Sequence, residues 1–290
     1  MLEQDSIQTV SHKLHALNAI CREITAVKQD RPFEFMALKD YTKVAASDPG
    51  RMAQIYWTEI FYRAHVASMT ALVRHSCWME ACLDLCGENP NFLGFAACLR
   101  GLLENAADTF FSLRAVPLTI ASQYKAVEEV MRGHHSSTAF ICEELEQLLI
   151  HFLYARKLDA SEDDPGHHKA AAVFEYVNSL VDNNDATVKK LYTELCQLAH
   201  PAAQSVQWLL RGPADSLWVG SRRDREAISS MLERHADALD TITDVPVNIS
   251  ISILKLLNMS HLDEVRTGSA DRFTPPGWKD VEAAIAGSYS

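Results

Sequence analysis

The chain lacks the short motifs that mark the common enzyme classes. It has no glycine-rich phosphate loop, no Gly-x-Ser-x-Gly elbow, no Cys-x-x-Cys pair and no His-Glu-x-x-His run. These absences remove the usual nucleotide-binding, hydrolase, thiol-redox and zinc-protease interpretations. The Glu-x-x-His pair that di-iron bundles use is missing as well. We therefore expect neither a metal nor a cofactor.

Long apolar runs and a targeting segment are also missing. No window approaches the ~18 uninterrupted apolar residues of a membrane span. The acidic start, Met1-Leu2-Glu3-Gln4-Asp5, has no basic region followed by an apolar one, so we expect no secretory signal. Acidic residues outnumber basic ones by 38 to 27, for a formal charge of −11, which argues against nucleic acid and anionic membranes as partners. The sequence predicts a cytoplasmic protein.

The seven cysteines do not form a disulfide or zinc pattern. Their number is odd, and Cys82 and Cys86 are spaced by one helical turn without a second pair at zinc-site spacing. Several of the cysteines lie within apolar helical stripes, which is typical of reduced thiols used as small hydrophobic residues. We expect all seven to be free.

Helical periodicity dominates what is present. The sequence predicts an all-α protein, a large multi-helix bundle with long antiparallel helices. We expect residues 1–260 to form one helical domain and residues 261–290 to form an irregular C-terminal arm. The longest predicted helix, Arg51–Cys86, follows a Ser-Asp-Pro-Gly start and ends before Gly87-Glu88-Asn89-Pro90.

The other boundaries follow from proline, glycine and polar clusters. Residues 30–46 are expected to be irregular, and Pro117 is expected to close the helix before it. Residues 247–253 alternate with period two, but we favour helix there because a lone strand would have no partner. The remaining predicted helices are Ile7–Val27, Asn91–Leu113, Ile120–Met131, Ser136–Leu158, His168–Val181, Ala186–Ala199, Ala202–Leu210 and Arg225–Thr243.

The long helix also suggests self-association. It carries more large apolar side chains than one side of a bundle readily covers, although part of this set could be core. We therefore predict a homo-oligomer, in the first instance a symmetric dimer. The side chains are Tyr56, Trp57, Phe61, Met69 and Trp78.

The candidate site starts from the segment that ends in His200-Pro201. Leu191, Leu195 and Leu198 recur at helical spacing and predict a buried face, with His200 near its edge. Proline disfavours helical geometry in the residue before it, so the helix should end or kink at His200. The ring could serve as a cap, or as an acid, a base or a ligand.

Two other helices contribute polar side chains to the candidate site. Arg100, Glu104 and Asp108 share one lane of a helix whose first half is apolar on all sides. They form either a solvated stripe of ion pairs or an inward polar pocket. His151 lies within another strongly apolar run, where a hydrogen-bonded core histidine is the simpler interpretation.

We predict that a functional site, if the chain has one, is a single polar pocket. Each proposed member lies on or beside an apolar helix, where a polar group needs a partner. Arginine and histidine together suit an anionic ligand, with Glu104 orienting Arg100. The competing interpretation is a scatter of caps and surface groups. The ligand-binding residues predicted in this way are Arg100, Glu104, His151, Tyr192 and His200.

Two segments, Leu99-Arg100-Gly101-Leu102-Leu103-Glu104 and Leu191 through Pro201, resemble a loosely defined group of bacterial helical-bundle proteins similar to the HEPN superfamily. The resemblance covers Phe92 to Leu210, and it implies a HEPN-like core at residues 90–212. That superfamily includes RNases of toxin and anti-phage systems. Their catalytic signature places an arginine before a histidine on one helix, with four to six residues between them. No arginine of this chain has a histidine at that spacing.

Two functions follow as expectations. The first is a non-enzymatic helical module that binds a small anionic ligand or a partner protein, as non-catalytic HEPN-like bundles do. The alternative is a HEPN-like RNase or nucleotide-processing enzyme of a defence or toxin system. Its site would assemble around His200 from separate helices, with one side chain stabilising charge and another transferring a proton.

Overall fold

The computed structural model describes residues 3–26, 32–134, 140–159, 161–164, 166–181, 186–200 and 203–289. The protein is all-α, as predicted, and the strands in the described part of the chain are one two-residue hairpin. The helices are α1 Glu3–Thr25, α2 Leu38–Ser47, α3 Pro49–Cys86, α4 Phe92–Leu113, α5 Val116–Ser122, α6 Tyr124–Met131, α7 Glu143–Tyr154, α8 Val173–Leu180, α9 Thr187–Ala199, α10 Ala203–Gln207, α11 Asp224–Arg234, α12 Ala236–Asn258 and α13 Trp278–Ser288. Strand β1, Leu210–Arg211, pairs antiparallel with β2, Trp218–Val219, and short 3-10 helices span Asp263–Val265 and Gly268–Arg272.

The chain divides into two compact units, where the sequence predicted one helical domain up to residue 260. Four of the five boundaries fall within helices α1, α3, α4 and α12, and the fifth falls between Ala171 and Ala172, before α8. Each unit is therefore assembled from three stretches of chain. The first unit comprises Met1–Arg22, Val73–Phe111 and Ala172–Val247. The second comprises Glu23–Leu72, Ser112–Ala171 and Asn248–Ser290.

Helix α3 confirms the predicted long helix and its stop. It runs from Pro49 to Cys86 without a break, because the sequence between the flanking turn signals contains no residue that interrupts a helix after its first turn. The large residues on which we based self-association are mostly core. Tyr56, Trp57 and Phe61 expose 5%, 0% and 2% of their surface, so they offer no face to a second copy. The homo-oligomer stays a prediction.

The core of the second unit forms around these three residues. The Trp57 ring stacks on Phe140 at 5.3 Å, and its indole N–H donates to the Phe140 carbonyl at 3.0 Å. Tyr56 Oη donates to the Cys142 carbonyl and accepts from the Cys142 amide, at 2.8 and 3.1 Å. Both tyrosine and tryptophan thus satisfy their polar atoms while burying large apolar surfaces.

Several predicted boundaries were wrong. Residues 38–47 form α2, although residues 30–46 were expected to be irregular. Pro117 lies in the first turn of α5 and does not close the preceding element, because a first-turn proline has no N–H that needs a partner. The helix predicted over Ile120–Met131 is interrupted at Gln123, and the helix predicted from Arg225 is interrupted at His235. The predicted start at Ser136 and the predicted end at Val27 lie outside the described residues.

The segment after residue 260 is not the expected irregular arm. It contains two 3-10 helices and α13, whose Trp278, Val281 and Ile285 are buried in the core of the second unit. Gly277, at φ 79°, allows the turn into α13 after the two prolines. The alternating run 247–253 lies within α12, as we favoured. Tertiary packing therefore orders the C-terminus as a docked helix.

Candidate functional site

The end of α9 is as the sequence predicted. Its buried face consists of Val188, Leu191, Leu195 and Leu198. His200 is the C-cap residue, with extended backbone angles of φ −96° and ψ 160°, and its amide donates to the Cys196 carbonyl at 3.1 Å. The side chain of His200 is exposed. Pro201 and Ala202, which include the predicted start of the next helix, lie outside the described residues.

Arg100 reaches the same surface from α4. The preceding turn is buried, with Phe95, Ala96 and Leu99 exposing 1%, 0% and 2%, and the Arg100 side chain is held to 20% exposure. Its Nε donates to Glu104 Oε1 at 2.7 Å, one turn later. Burial is the largest single effect and lowers the pKa of Arg100, but the attraction and hydrogen bond of Glu104, together with Cys196 and Tyr192, outweigh it, so the pKa of Arg100 is raised. Arg100 is therefore a fixed cation.

Arg100 and His200 are in direct contact, although 100 residues separate them in the chain. Arg100 Nη1 lies 2.6 Å from His200 Nε2. A guanidinium can only donate hydrogen bonds, so Nε2 must accept and the imidazole proton lies on Nδ1. This orientation leaves Nδ1–H as a donor. The geometry brings together the two residues that the sequence singled out first.

Tyr192 completes the cluster from α9. The Arg100 guanidinium carbon lies 5.8 Å from the centre of the Tyr192 ring, within the range of a cation–π contact. Burial raises the pKa of Tyr192, and its hydrogen bond with the Cys196 side chain raises it further. Tyr192 is therefore a neutral phenol at physiological pH. We refer to Arg100, Glu104, Tyr192 and His200 as the Arg100 cluster.

The other two polar candidates, Asp108 and His151, have hydrogen-bond partners outside the cluster. Asp108, which shares the lane of Arg100 and Glu104, accepts a 2.6 Å hydrogen bond from Arg74. His151 lies on α7 in the second unit, with Nδ1 3.3 Å from the His167 carbonyl. The Arg100 cluster belongs to the first unit, so the candidate site comprises its four members and does not include His151.

Sequence analysis missed a second polar junction on α9. Glu194 accepts from Arg234 Nη2 at 2.6 Å, and its other oxygen lies 2.7 Å from His235 Nε2. Burial favours the neutral acid, but the bonds to His235 and Arg234 prevail and the pKa of Glu194 is lowered. No spacing rule connects residues 40 positions apart. The break between α11 and α12 is located at this junction, where a tertiary contact holds His235.

It also missed a groove of about 1290 Å³ in the second unit, lined by α3 and by residues 32–37. The available signal was the spacing of Ile55, Tyr62, Val66 and Met69 on α3. These side chains are only partly buried, in contrast to the aromatic core residues of the same helix. The spacing alone does not distinguish this partly exposed face of α3 from its core face, so Met69 was predicted to belong to a dimer face.

Comparisons of the chain with models of protein families, with curated proteins and with solved structures give no match. The HEPN-like resemblance of residues 90–212 therefore stays a prediction. Within the described ranges, no three His, Cys, Asp or Glu side chains gather as a metal ion would require. None of the helices there combines the length and apolar character of a membrane-spanning helix.

Proposed function

We propose that the protein is a non-enzymatic binding module whose first unit binds a small anionic ligand, a carboxylate or a phosphate, at the Arg100 cluster. The observation that carries the proposal is the 2.6 Å contact between Arg100 Nη1 and His200 Nε2. It fixes two polar side chains from different helices in one orientation. Fixed donors bind an anion without the entropic cost of ordering flexible side chains.

The donors left over in the cluster suit an anion. Arg100 uses Nε for Glu104 and one Nη1 hydrogen for His200. Its Nη2 group and His200 Nδ1–H have no hydrogen-bond partner among the residues that the structure describes. Planar guanidinium donors match carboxylate and phosphate oxygens in pairs. Glu104 offsets part of the arginine charge, so we expect weak and selective binding rather than a strong general anion trap.

The hydrogen bonding of His200 favours binding over ribonuclease chemistry. A general base needs a ring nitrogen that can accept a proton in reach of the substrate. In the observed contact Nε2 already accepts from Arg100, and Nδ1 holds the proton. Arg100 is the single arginine of the cluster, and Glu104 already pairs with it. The cluster therefore has no second cation. The RNase alternative therefore has less support than ligand binding.

Titration with inorganic phosphate and with acetate tests the proposal. In protein labelled with ¹⁵N-arginine, the Arg100 Nε–H resonance should move in a saturable way with at least one of the two anions. Arg100→Lys should weaken that binding at least about tenfold, because an ammonium lacks the paired donors of a guanidinium. His200→Ala should weaken it as well, while far-UV circular dichroism stays unchanged.

Arg22→Gln is the matched control. Arg22 is another arginine of the first unit, paired with Glu80 at 2.7 Å and more exposed than Arg100, so its loss should leave phosphate and acetate binding unchanged. The absence of saturable shifts with both anions would contradict the proposal. Global unfolding of His200→Ala would instead assign His200 a structural role as the C-cap of α9.

Self-association and a cytoplasmic location belong to the same proposal. We expect the ligand-binding module to be a homo-oligomer through a surface that includes Trp78, the partly exposed member of the predicted set in the first unit. Light scattering at micromolar concentration measures the mass directly. A value equal to the 32.4 kDa of one chain would contradict the oligomer and leave the anion-binding proposal intact.

A further inference from the structure

A groove along the first half of α3 is a concave surface without a role in the Arg100 cluster. It belongs entirely to the second unit and has a volume of about 1290 Å³. Five of the ten α3 residues that line it recur with intervals of four, three, four and three, the repeat of a helix-packing seam. They are Ile55, Glu59, Tyr62, Val66 and Met69. We call this surface the α3 groove.

Residues 32–37 form another wall of the groove and are fixed to α3 by ring contacts and a hydrogen bond. Phe33 stacks on Tyr62 with ring centres 4.3 Å apart. The Met36 amide donates to Glu59 at 2.6 Å, and the Arg63 guanidinium lies 4.7 Å from the centre of the Phe35 ring. The wall is therefore held in place and the groove is preformed. Its apolar surface stays partly exposed, with Phe35 at 41%.

The rim of the α3 groove is acidic on balance, because Glu34, Asp40, Glu59, Asp263 and Glu264 outnumber Arg51 and Arg266. Glu59 is paired with Arg63, and Asp263 is paired with Arg266 at 3.1 Å. Glu34 and Glu264, both exposed, have no ion-pair partner among the residues that the structure describes. Burial lowers the pKa of His65, another lining residue, to about 4. At neutral pH His65 therefore adds no positive charge to offset the rim.

We propose that the α3 groove binds an amphipathic α-helix of a partner protein, with lysine or arginine flanking its apolar face. The seam from Ile55 to Met69 is roughly 21 Å long, about four helical turns. A neighbouring helix with apolar residues at the same repeat can pack its side chains into such a seam. Basic residues beside that face would meet Glu34 and Glu264.

Charge argues against the other occupants. A second copy of this chain would place one acidic rim against the other, which is unfavourable at an interface. An anionic membrane surface would be repelled by the same carboxylates. A cationic amphipathic helix is attracted by the carboxylates of the rim. It buries its apolar face against the floor of the groove, which is formed by Ile55, Tyr62, Val66 and Met69. The proposal is independent of the Arg100 cluster, which belongs to the first unit.

The probe is a fluorescein-labelled peptide of leucine and lysine, patterned as an amphipathic helix of about four turns. Its binding is followed by fluorescence anisotropy at pH 7 and low ionic strength. One control peptide has glutamate in place of lysine, and the other has the same composition in scrambled order. We expect saturable binding of the patterned lysine peptide and at least tenfold weaker binding of both controls.

Protein variants locate the binding. Val66→Asp should weaken it at least about tenfold, because it puts a charge into the apolar floor. Glu34→Gln combined with Glu264→Gln should weaken it about threefold to tenfold, as expected for two exposed charges. Leu118→Asp, at an apolar residue of α5 with 47% exposure, and Glu129→Gln on α6 are the matched controls and should bind as the wild type does.

Methionine methyl resonances of the wild-type protein give an independent test, which holds even if Val66→Asp fails to fold. The Met69 methyl group lines the groove and should shift on titration with the peptide. The Met259 methyl group, at 44% exposure in the same unit, should not. An unmoved Met69, equal binding of the scrambled peptide, or wild-type affinity in Val66→Asp would overturn the proposal. A homodimer that Val66→Asp dissociates would assign the groove to a second copy.

Discussion

His75 should make the stability of the protein depend on pH in a predictable direction. The side chain, on α3 in the first unit, is fully buried. Its Nε2 lies 3.0 Å from the Thr243 carbonyl and donates to it, and its Nδ1 accepts from Asn105 Nδ2 at 3.0 Å. The neutral ring thus satisfies both nitrogens. A proton on Nδ1 would face the Asn105 donor, and burial lowers the pKa of His75 to about 4.

The size and sign of the effect follow from linkage. Between pH 6.5 and 4 the unfolded chain binds a proton that buried His75 does not, so stability is fully present above pH 6.5 and falls as the pH drops toward 4. The whole difference between the unfolded and folded pKa of His75 corresponds to about 3 kcal/mol in the free energy of unfolding. About 2 kcal/mol of it should be lost between pH 7.5 and pH 5.

The assay is urea unfolding of the wild type and of His75→Gln across this pH range. Glutamine can donate to Thr243 and accept from Asn105 but does not titrate. Carboxylates and the buried His65 contribute equally to both proteins, so they cancel in the difference. We expect the wild type to lose about 2 kcal/mol more than the variant between pH 7.5 and pH 5. Parallel stability curves would refute the conclusion that burial holds His75 neutral.

Three further predictions concern packing, capping and the thiols. Gly101→Ala should lower the free energy of unfolding by about 1–3 kcal/mol through overpacking, because a methyl group there would lie 2.6 Å from the Trp78 ring. In a Trp78→Ala background the same change should raise the free energy of unfolding by up to about 1 kcal/mol, since alanine is the better helix former. A loss of stability in that background would contradict the clash with Trp78. Asp224→Asn should lower the free energy of unfolding by about 1–3 kcal/mol, because the buried carboxylate accepts from the Phe92 amide at 2.7 Å and from Arg222 at 2.8 and 2.9 Å. Urea unfolding at pH 7 measures the loss, with the exposed Asp237→Asn as the control. Equal stability of the Asp224→Asn variant and the wild type would refute the prediction. Thiol titration of the denatured protein should count seven free cysteines, and fewer would indicate a disulfide.

Local signals in the sequence determined the boundaries that were predicted correctly. Helix α3 ends where Gly87 and Pro90 follow it, and α9 ends at Ala199, with His200, the residue before Pro201, as its C-cap. Both stops act through the backbone of the residues concerned and need no tertiary partner. The break at His235 has no such local signal. There the ring contacts Glu194 of α9, so the boundary could be found only from the folded structure.

The C-terminal segment was mispredicted for a related reason. Pro275, Pro276 and Gly277 are typical of irregular chain, and the short helix after them is marginal in isolation. It is ordered because Trp278, Val281 and Ile285 dock into a core built by distant helices. Their three- and four-residue spacing was visible in the sequence. The apolar surface that receives them was not.

The candidate site was predictable to the extent that buried polar groups need partners. The pair Arg100 and Glu104 follows from one-turn spacing on a helix. The contact of Arg100 with His200 follows from a weaker argument, that both lie at the edge of an apolar helical face. The same argument selected His151, which the fold places in the other unit. Burial determines that a polar side chain must find a partner, and chain topology determines which one; a single sequence expresses the first requirement clearly and the second hardly at all.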